Sequence, residues 1–386
     1  MANENIYWLG FSAFPGIGPL RFKLLFNFFG TAEKAWKASY NSLIQIGLGE
    51  KLTTKFISFR NSFSLSDYSR KLQENNIHVL TLKDQGYPKL LKEIQDAPFV
   101  LYVRGDVKED IFINPTIAVV GTRKITGYGK EVTERLVREL VNAGFTIVSG
   151  LAYGVDTVAH ETAVSLNGKT IAVLGCGVNV IHPKSNTTLY WKIVKKSGII
   201  VSEFPLNHWV EKGLFPARNR IISGLSLGVV VTEGAKDSGA LITARFAGEQ
   251  GREVFAVPGP ITSSLSEGPT MLLKNGAKLV TRVEDILEEL DVKCKMQNTK
   301  IKMTMQNVKI NLTSDEKNIL ALLENENLHF DEIARKGNIS SSNLGGLLTM
   351  MEMKKLVKNL GGGLYGISYT PYLTLREWNS FAHRDN

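Results

Sequence analysis

Thr116-Ile-Ala-Val-Val-Gly121, Thr146-Ile-Val-Ser-Gly150 and Thr170-Ile-Ala-Val-Leu-Gly175 are the runs that decide the fold. Each is rich in β-branched residues, shows no polar alternation and closes on glycine. Runs of the same kind follow at Ile199–Phe204, Leu227–Gly234 and Glu253–Gly259. Strands apolar on both faces suit a parallel sheet covered by helices on both sides. Between the first two runs Val132, Leu136 and Leu140 recur one helical turn apart, with Val137 and Val141 beside them. Further helices are predicted at Val155–Leu166, Thr187–Lys196, Arg218–Leu225 and Gly239–Glu249. A βαβα series of this length predicts a doubly wound, Rossmann-like α/β domain with a parallel sheet and right-handed crossovers.

The flanks differ in character. Residues 1–80 open with Phe14-Pro-Gly-Ile-Gly-Pro19 followed by Leu20, Leu24 and Leu25, a tight turn leading into a helix. That is the pattern of a helix-hairpin-helix (SAM-like) domain, whose glycine amides can grip a phosphate or merely turn the chain. Ile46-Gly-Leu-Gly49 is a looser echo. The Rossmann-like domain is expected to span 81–291, and 292–311 reads as a lysine-rich linker. In 312–368, Thr313 and Glu316 form a capping box for a helix through Leu323. A short helix around Asp331–Lys336, a third after Ser340–Ser342 and a glycine-tipped hairpin Val357–Ile367 complete the plan of a winged-helix domain. Its presumed recognition helix starts with serines, Asn343 and two glycines rather than base-reading side chains, leaving DNA contact and protein docking both open. Residues 369–386 form a C-terminal tail.

The chain has 386 residues, 43% hydrophobic and 22% charged, ordinary globular values that exclude a collagen, a disulfide scaffold or a mostly disordered chain. No apolar run is long enough to cross a membrane, and Met-Ala-Asn-Glu-Asn has no signal-peptide character. Cys176 and Cys294 have no CxxC spacing and suit a reducing cytoplasm, so a cytoplasmic location is expected. The net charge is +9, and five lysines between Val292 and Ile310, with no acid among them, supply over half of it. A basic balance favours a polyanionic partner or simply solubility.

In an open α/β sheet, ligands sit outside the carboxyl ends of the strands. Gly121, Gly150 and Gly177 there expose amides able to cradle phosphate, although tight turns need glycine for steric reasons alone. The G-x-G-x-x-G pattern fails at Val180, and a Walker A loop fails at Thr126 and Gly127, which disfavours an NAD enzyme and a P-loop NTPase. Basic residues stand where phosphates would lie. Arg123 follows the first strand, Lys184 follows the third, and Lys212, Arg218 and Arg220 surround a helix start. Arg218 and Arg220 cannot share a helix face, so one is expected to meet ligand while the other pairs with an acid such as Glu233. Asp156 and His160 share a helix face, but no third metal ligand has recognisable spacing and no nucleophile–base pair stands out. No catalytic residue, metal or cofactor is expected.

Gly86-Tyr-Pro-Lys-Leu-Leu-Lys-Glu-Ile94, Val119-Val-Gly-Thr-Arg123, Ser149-Gly-Leu-Ala-Tyr-Gly-Val-Asp156, Phe215-Pro-Ala-Arg-Asn-Arg-Ile-Ile222, Ser238-Gly-Ala-Leu-Ile-Thr-Ala244 and Val254-Phe-Ala-Val-Pro-Gly259 occur in that order. Together they closely resemble the DNA-processing protein A family (DprA, also called Smf) from about Gly86 to Ala277. The resemblance implies a non-enzymatic protein that binds single-stranded DNA without marked sequence specificity, loads the RecA recombinase, supports natural transformation and dimerises through the Rossmann-like domain. With the basic residues above, it places DNA contacts at Gly121, Thr122, Arg123, Ser149, Gly150, Lys184, Lys212, Arg218, Asn219, Arg220, Ser238 and Gly239. Asn179 and His182 stand where the family usually has Asp and Tyr, and Thr270 where it has Asn. Phe215, Tyr153 and Tyr190 are candidate stacking faces. Alternative readings are a nucleotide-metabolising enzyme of phosphoribohydrolase type, whose Pro-Gly-Gly-x-Gly-Thr loop is absent, and a winged-helix adaptor or transcription factor.

Overall fold

The computed structural model describes residues 4–106, 109–210, 214–290, 313–323, 326–354 and 356–367. The linker expected at 292–311 and the tail at 369–386 lie outside them, as does Lys212. Two compact units form, Met1–Gln297 and Asn298–Asn386.

Nine strands of the first unit make one sheet: β1 (Ile77–Thr81), β2 (Val100–Gly105), β3 (Thr116–Val120), β4 (Thr146–Ser149), β5 (Thr170–Val173), β6 (Gly198–Ser202), β7 (Gly228–Val231), β8 (Glu253–Ala256) and β9 (Lys278–Leu279). Their order is β1-β2-β6-β5-β4-β3-β7-β8-β9. From β6 to β9 every pair is parallel, with Thr116 opposite Thr146 and Ala118 opposite Val229. All five residues of β3 are buried, as a strand covered on both faces requires. The chain winds from β3 towards β6 and then returns to β7 on the other side. The topological switch point therefore lies between β3 and β7, where an open α/β sheet offers its ligand crevice.

The sheet continues past β6 into β2 and β1, both antiparallel to their neighbours, which sequence periodicity did not reveal. β1 lies across the boundary expected between residues 80 and 81. The N-terminal helices share a core with the sheet through Trp8, Phe11, Phe22, Phe99 and Tyr102. Phe22 stacks on Phe99 at 4.0 Å, and the Tyr102 hydroxyl donates to Ser12 Oγ at 3.0 Å. Helical segment and sheet thus share one hydrophobic core. In the Phe14–Pro19 turn, Gly16 adopts φ +116° and its carbonyl accepts a 2.7 Å hydrogen bond from Arg21 Nη1.

The second unit has helices Ser314–Leu323, Phe330–Gly337 and Ser341–Met353, with a hairpin Val357–Gly361 and Leu364–Ile367. A short strand, Leu328–His329, joins the hairpin as a third member. Thr313 N donates to Glu316 Oε2 at 2.9 Å and Glu316 N to Thr313 Oγ1 at 3.3 Å, the reciprocal bonds of a capping box. Ile319, Leu323, Ile333, Leu344, Leu348 and Met351 close its core.

Candidate nucleic-acid interface

Two loops flank the switch point and are tied together. After β3, Thr122 N donates to the Glu233 carbonyl at 2.7 Å. A β-carbon at Gly121 would lie 2.5 Å from Val155 Cγ2 and 2.7 Å from that same carbonyl, so only glycine permits the close approach. Thr126 caps the helix Gly127–Asn142, and its hydroxyl donates to Glu233 Oε1 at 2.6 Å while its N–H donates to Oε2 at 3.0 Å. Glu233 is therefore a strut between the loops after β3 and β7, not the arginine partner expected from sequence. Ser238 caps the helix Gly239–Glu249. Both helices begin at the switch point, where their N-terminal dipoles favour an anion. Arg123 is exposed on the first loop, and Gly239 is exposed with open space above its Cα.

The loop after β4 is shaped from beneath. Gly150 N and Ala152 N donate to Asp156 Oδ2 at 3.2 and 3.3 Å. Arg218 Nη1 donates to the Val173 carbonyl at 2.8 Å, and Nη2 lies 3.9 Å from Asp156 Oδ2. Leu151 takes φ +57°, and its carbonyl accepts a 3.0 Å bond from the buried Asn186 Nδ2. Arg220 turns the other way, to the Asp96 carbonyl at 2.8 Å, the Asp96 carboxylate at 3.2 Å and the Glu203 carboxylate. Asn219 Nδ2 reaches the Gly239 carbonyl at 3.3 Å.

These contacts correct the expectation for the Arg218–Arg220 group. The helix begins at Leu214, not Arg218, so the three residues sit inside it and point into the protein. Each is less than a tenth exposed. Both arginines, rather than one, are paired with acids, because an uncompensated buried guanidinium is prohibitively costly. Ser149 is also committed inward, its hydroxyl donating to the Val119 carbonyl at 2.7 Å.

Burial raises the Asp156 carboxyl pKa, opposed by the Arg218 charge. Burial lowers that of Arg218, with Asp156 opposing and the nearby Arg123 charge adding to the shift. The Asp156 carboxylate outweighs Arg123 in its effect on Arg218. His160 donates no charge there. Burial first, then Arg218, pushes its pKa down to about 3, and its Nδ1 bonds Thr170 Oγ1 at 2.7 Å. Asp156 and His160 are accordingly structural. Burial pushes the Cys176 thiol up to about 11.

Among the stacking candidates, Tyr153 is 52% exposed on the loop against Arg123, whereas Tyr190 is fully buried with its hydroxyl bonded to the Val178 carbonyl. The side chain of Phe215 lies outside the described set. Lys184 is exposed just beyond the β5 loop. Asn186 and Thr126 escaped sequence reading because their partners lie in other loops. Only Thr126, directly before Gly127, carried a local capping signal.

Fold and edge together define a class, a Rossmann-like α/β protein with a basic, glycine-lined carboxyl edge and a winged-helix unit on one chain. Residues 78–291 match the family described as DNA recombination-mediator protein A, and 306–363 match the DprA winged helix domain. The chain belongs to this DprA/Smf family. Protein Smf of Synechocystis is 42% identical over 294 residues, 75% of this chain and 74% of its own. The X-ray structure of DNA processing protein A from Streptococcus pneumoniae superposes with a TM-score of 0.65 at 36% identity, covering 75% of this chain and 98% of that one. DNA processing protein A from Helicobacter pylori, whose structure concerns its single-stranded DNA binding mode, gives a TM-score of 0.50 at 32% identity, covering 55% and 95%. Among the described residues no helix is long and apolar enough to cross a membrane.

Proposed function

We propose that this chain binds single-stranded DNA, without marked sequence preference, along the carboxyl edge of its parallel strands. It loads RecA recombinase onto that strand and so supports recombination and natural transformation. The observation that carries the reading is Arg123, exposed on the loop after β3 at a switch point where two helix N-termini converge, with Arg218 buried under the neighbouring β4 loop. Phosphates compensate this concentration of positive charge, and none of the contacts distinguishes one base from another. Lys184 and Lys212 extend the phosphate contacts, Gly239 leaves open space for the strand, and Gly121 and Gly150 offer their backbone while their missing β-carbons let the loops pack. Arg218, Asn219, Arg220, Thr122, Ser149 and Ser238 act from below by fixing the loops. The role is non-catalytic, needs no cofactor, and is exercised in the cytoplasm by a homodimer joined through the Rossmann-like domain.

Fluorescence anisotropy with labelled single-stranded and duplex oligonucleotides tests the binding. A clear preference for the single strand is expected; equal binding, or release of base from a nucleotide, would contradict the proposal. Loading is tested by the DNA-dependent ATPase of RecA on strands covered with single-strand-binding protein. The protein should shorten the lag, and an unchanged lag would refute loading.

A further inference from the structure

Trp209 is 72% exposed on the loop that follows β6 at the carboxyl edge. An indole left in water forgoes one of the largest burial gains a side chain can make. The residues that lead up to it are nevertheless braced. Gly177 N, after β5, donates to the His208 carbonyl at 2.9 Å, and His208 N to the Pro205 carbonyl at 3.2 Å. Asn179 Nδ2 donates to Asn207 Oδ1 at 2.7 Å, while Asn207 N returns a bond to Asn179 Oδ1 at 2.9 Å. The His208 imidazole stacks on Phe204 at 4.8 Å with an interplanar angle of 8°. Leu206 N donates to the Tyr68 hydroxyl at 3.1 Å, anchoring the start of the loop to the N-terminal helices. An exposed aromatic that follows a braced segment loses less conformational freedom when a flat ligand covers it than one on an unbraced segment.

We propose that Trp209 is a stacking platform for a base of the bound strand. This rests on the reading of the carboxyl edge as a single-strand site and supplies the flat face that sequence-tolerant binding requires. Strand order puts β6 three positions from β3, so the strand ends from which the two loops leave stand ~14 Å apart. The exposed Tyr153, after β4, lies on the way. Asn179 acquires a role here as the side chain that pins the segment before the platform.

The test compares wild type, Trp209→Ala, Trp209→Phe and Arg123→Ala in the full chain, using a thymidine oligonucleotide and an abasic strand of equal length. Trp209→Ala should weaken the base-carrying strand about tenfold, with the salt slope unchanged. Trp209→Phe should retain most of the affinity. The abasic strand should bind wild type and Trp209→Ala alike. Unchanged melting temperatures establish that the exposed substitution leaves the fold intact. Equal affinity of wild type and Trp209→Ala for the thymidine strand, or an equal loss on the abasic strand, overturns the assignment. A change of oligomeric state in Trp209→Ala overturns it in favour of a contact between copies. If Arg123→Ala loses affinity and Trp209→Ala does not, only the platform falls. If wild type binds neither strand, the single-strand reading falls with it.

Discussion

At Gly150 a β-carbon would lie 1.7 Å from Arg218 Nη1, so no other residue leaves room for the guanidinium beneath the loop. Gly150→Ala should drive Arg218 away from the Val173 carbonyl and Asp156, leaving buried charges badly paired. The expected cost is about 3–5 kcal/mol, read from urea unfolding. A loss below about 1 kcal/mol would show that the loop yields instead. His160 sets a pH dependence. The unfolded imidazole titrates near 6.5 and the folded one near 3, so within that interval the unfolded chain binds the extra proton and stability falls as pH falls. From about pH 7 to about pH 5.5 wild type should lose about 1 kcal/mol more than His160→Asn. The raised Asp156 carboxyl contributes with the opposite sign, in both proteins, and cancels from the comparison. Equal losses would contradict the assignment of a neutral, buried His160.

Elements were legible in the sequence where their signal is local. The six runs of the central sheet were found because buried parallel strands are continuously apolar, and the helix Gly239–Glu249 ends where its pattern ends. The capping box at Thr313 was legible for the same reason, since both partners lie three residues apart. β1 and β2 were not, because antiparallel pairing at a sheet flank depends on partners such as Ser202 opposite Tyr102, a hundred residues apart in sequence. In the site, Arg123 and the glycine turns could be read from their positions at strand ends. The inward turn of Arg218 and Arg220 could not, because it depends on Asp156, Asp96 and Glu203 meeting them in space. Glu316 tests the capped helix. Burial opposes ionisation of its carboxyl, but bonds from Lys354 at 2.6 Å and from Thr313 hold its pKa below the usual value. Its stabilisation is therefore present above about pH 4.5 and lost as pH falls through the folded value. At neutral pH, Glu316→Ala should destabilise residues 298–386 by about 1–2 kcal/mol in thermal unfolding followed by circular dichroism, and by less in acid. A pH-independent difference would contradict this.

At the scale of the whole molecule, the sheet divides the labour. Its β1–β2 flank carries the N-terminal helices as one folded body, and its parallel part delivers loops, helix N-termini and basic side chains to a single edge. Positive charge is built in two layers, Arg218 buried beneath the β4 loop and Arg123 exposed to solvent on the loop after β3. The account stands on the exposed layer meeting phosphate. The most direct measurement is the anisotropy-derived affinity for single-stranded oligonucleotides of several sequences, over a salt series, for wild type and Arg123→Ala. The predicted result is a loss of affinity shared by every sequence, with the slope of log K against log salt smaller by about 0.7–1, one phosphate contact fewer. An unchanged slope and affinity, or a loss confined to some sequences, would contradict a phosphate clamp at the carboxyl edge.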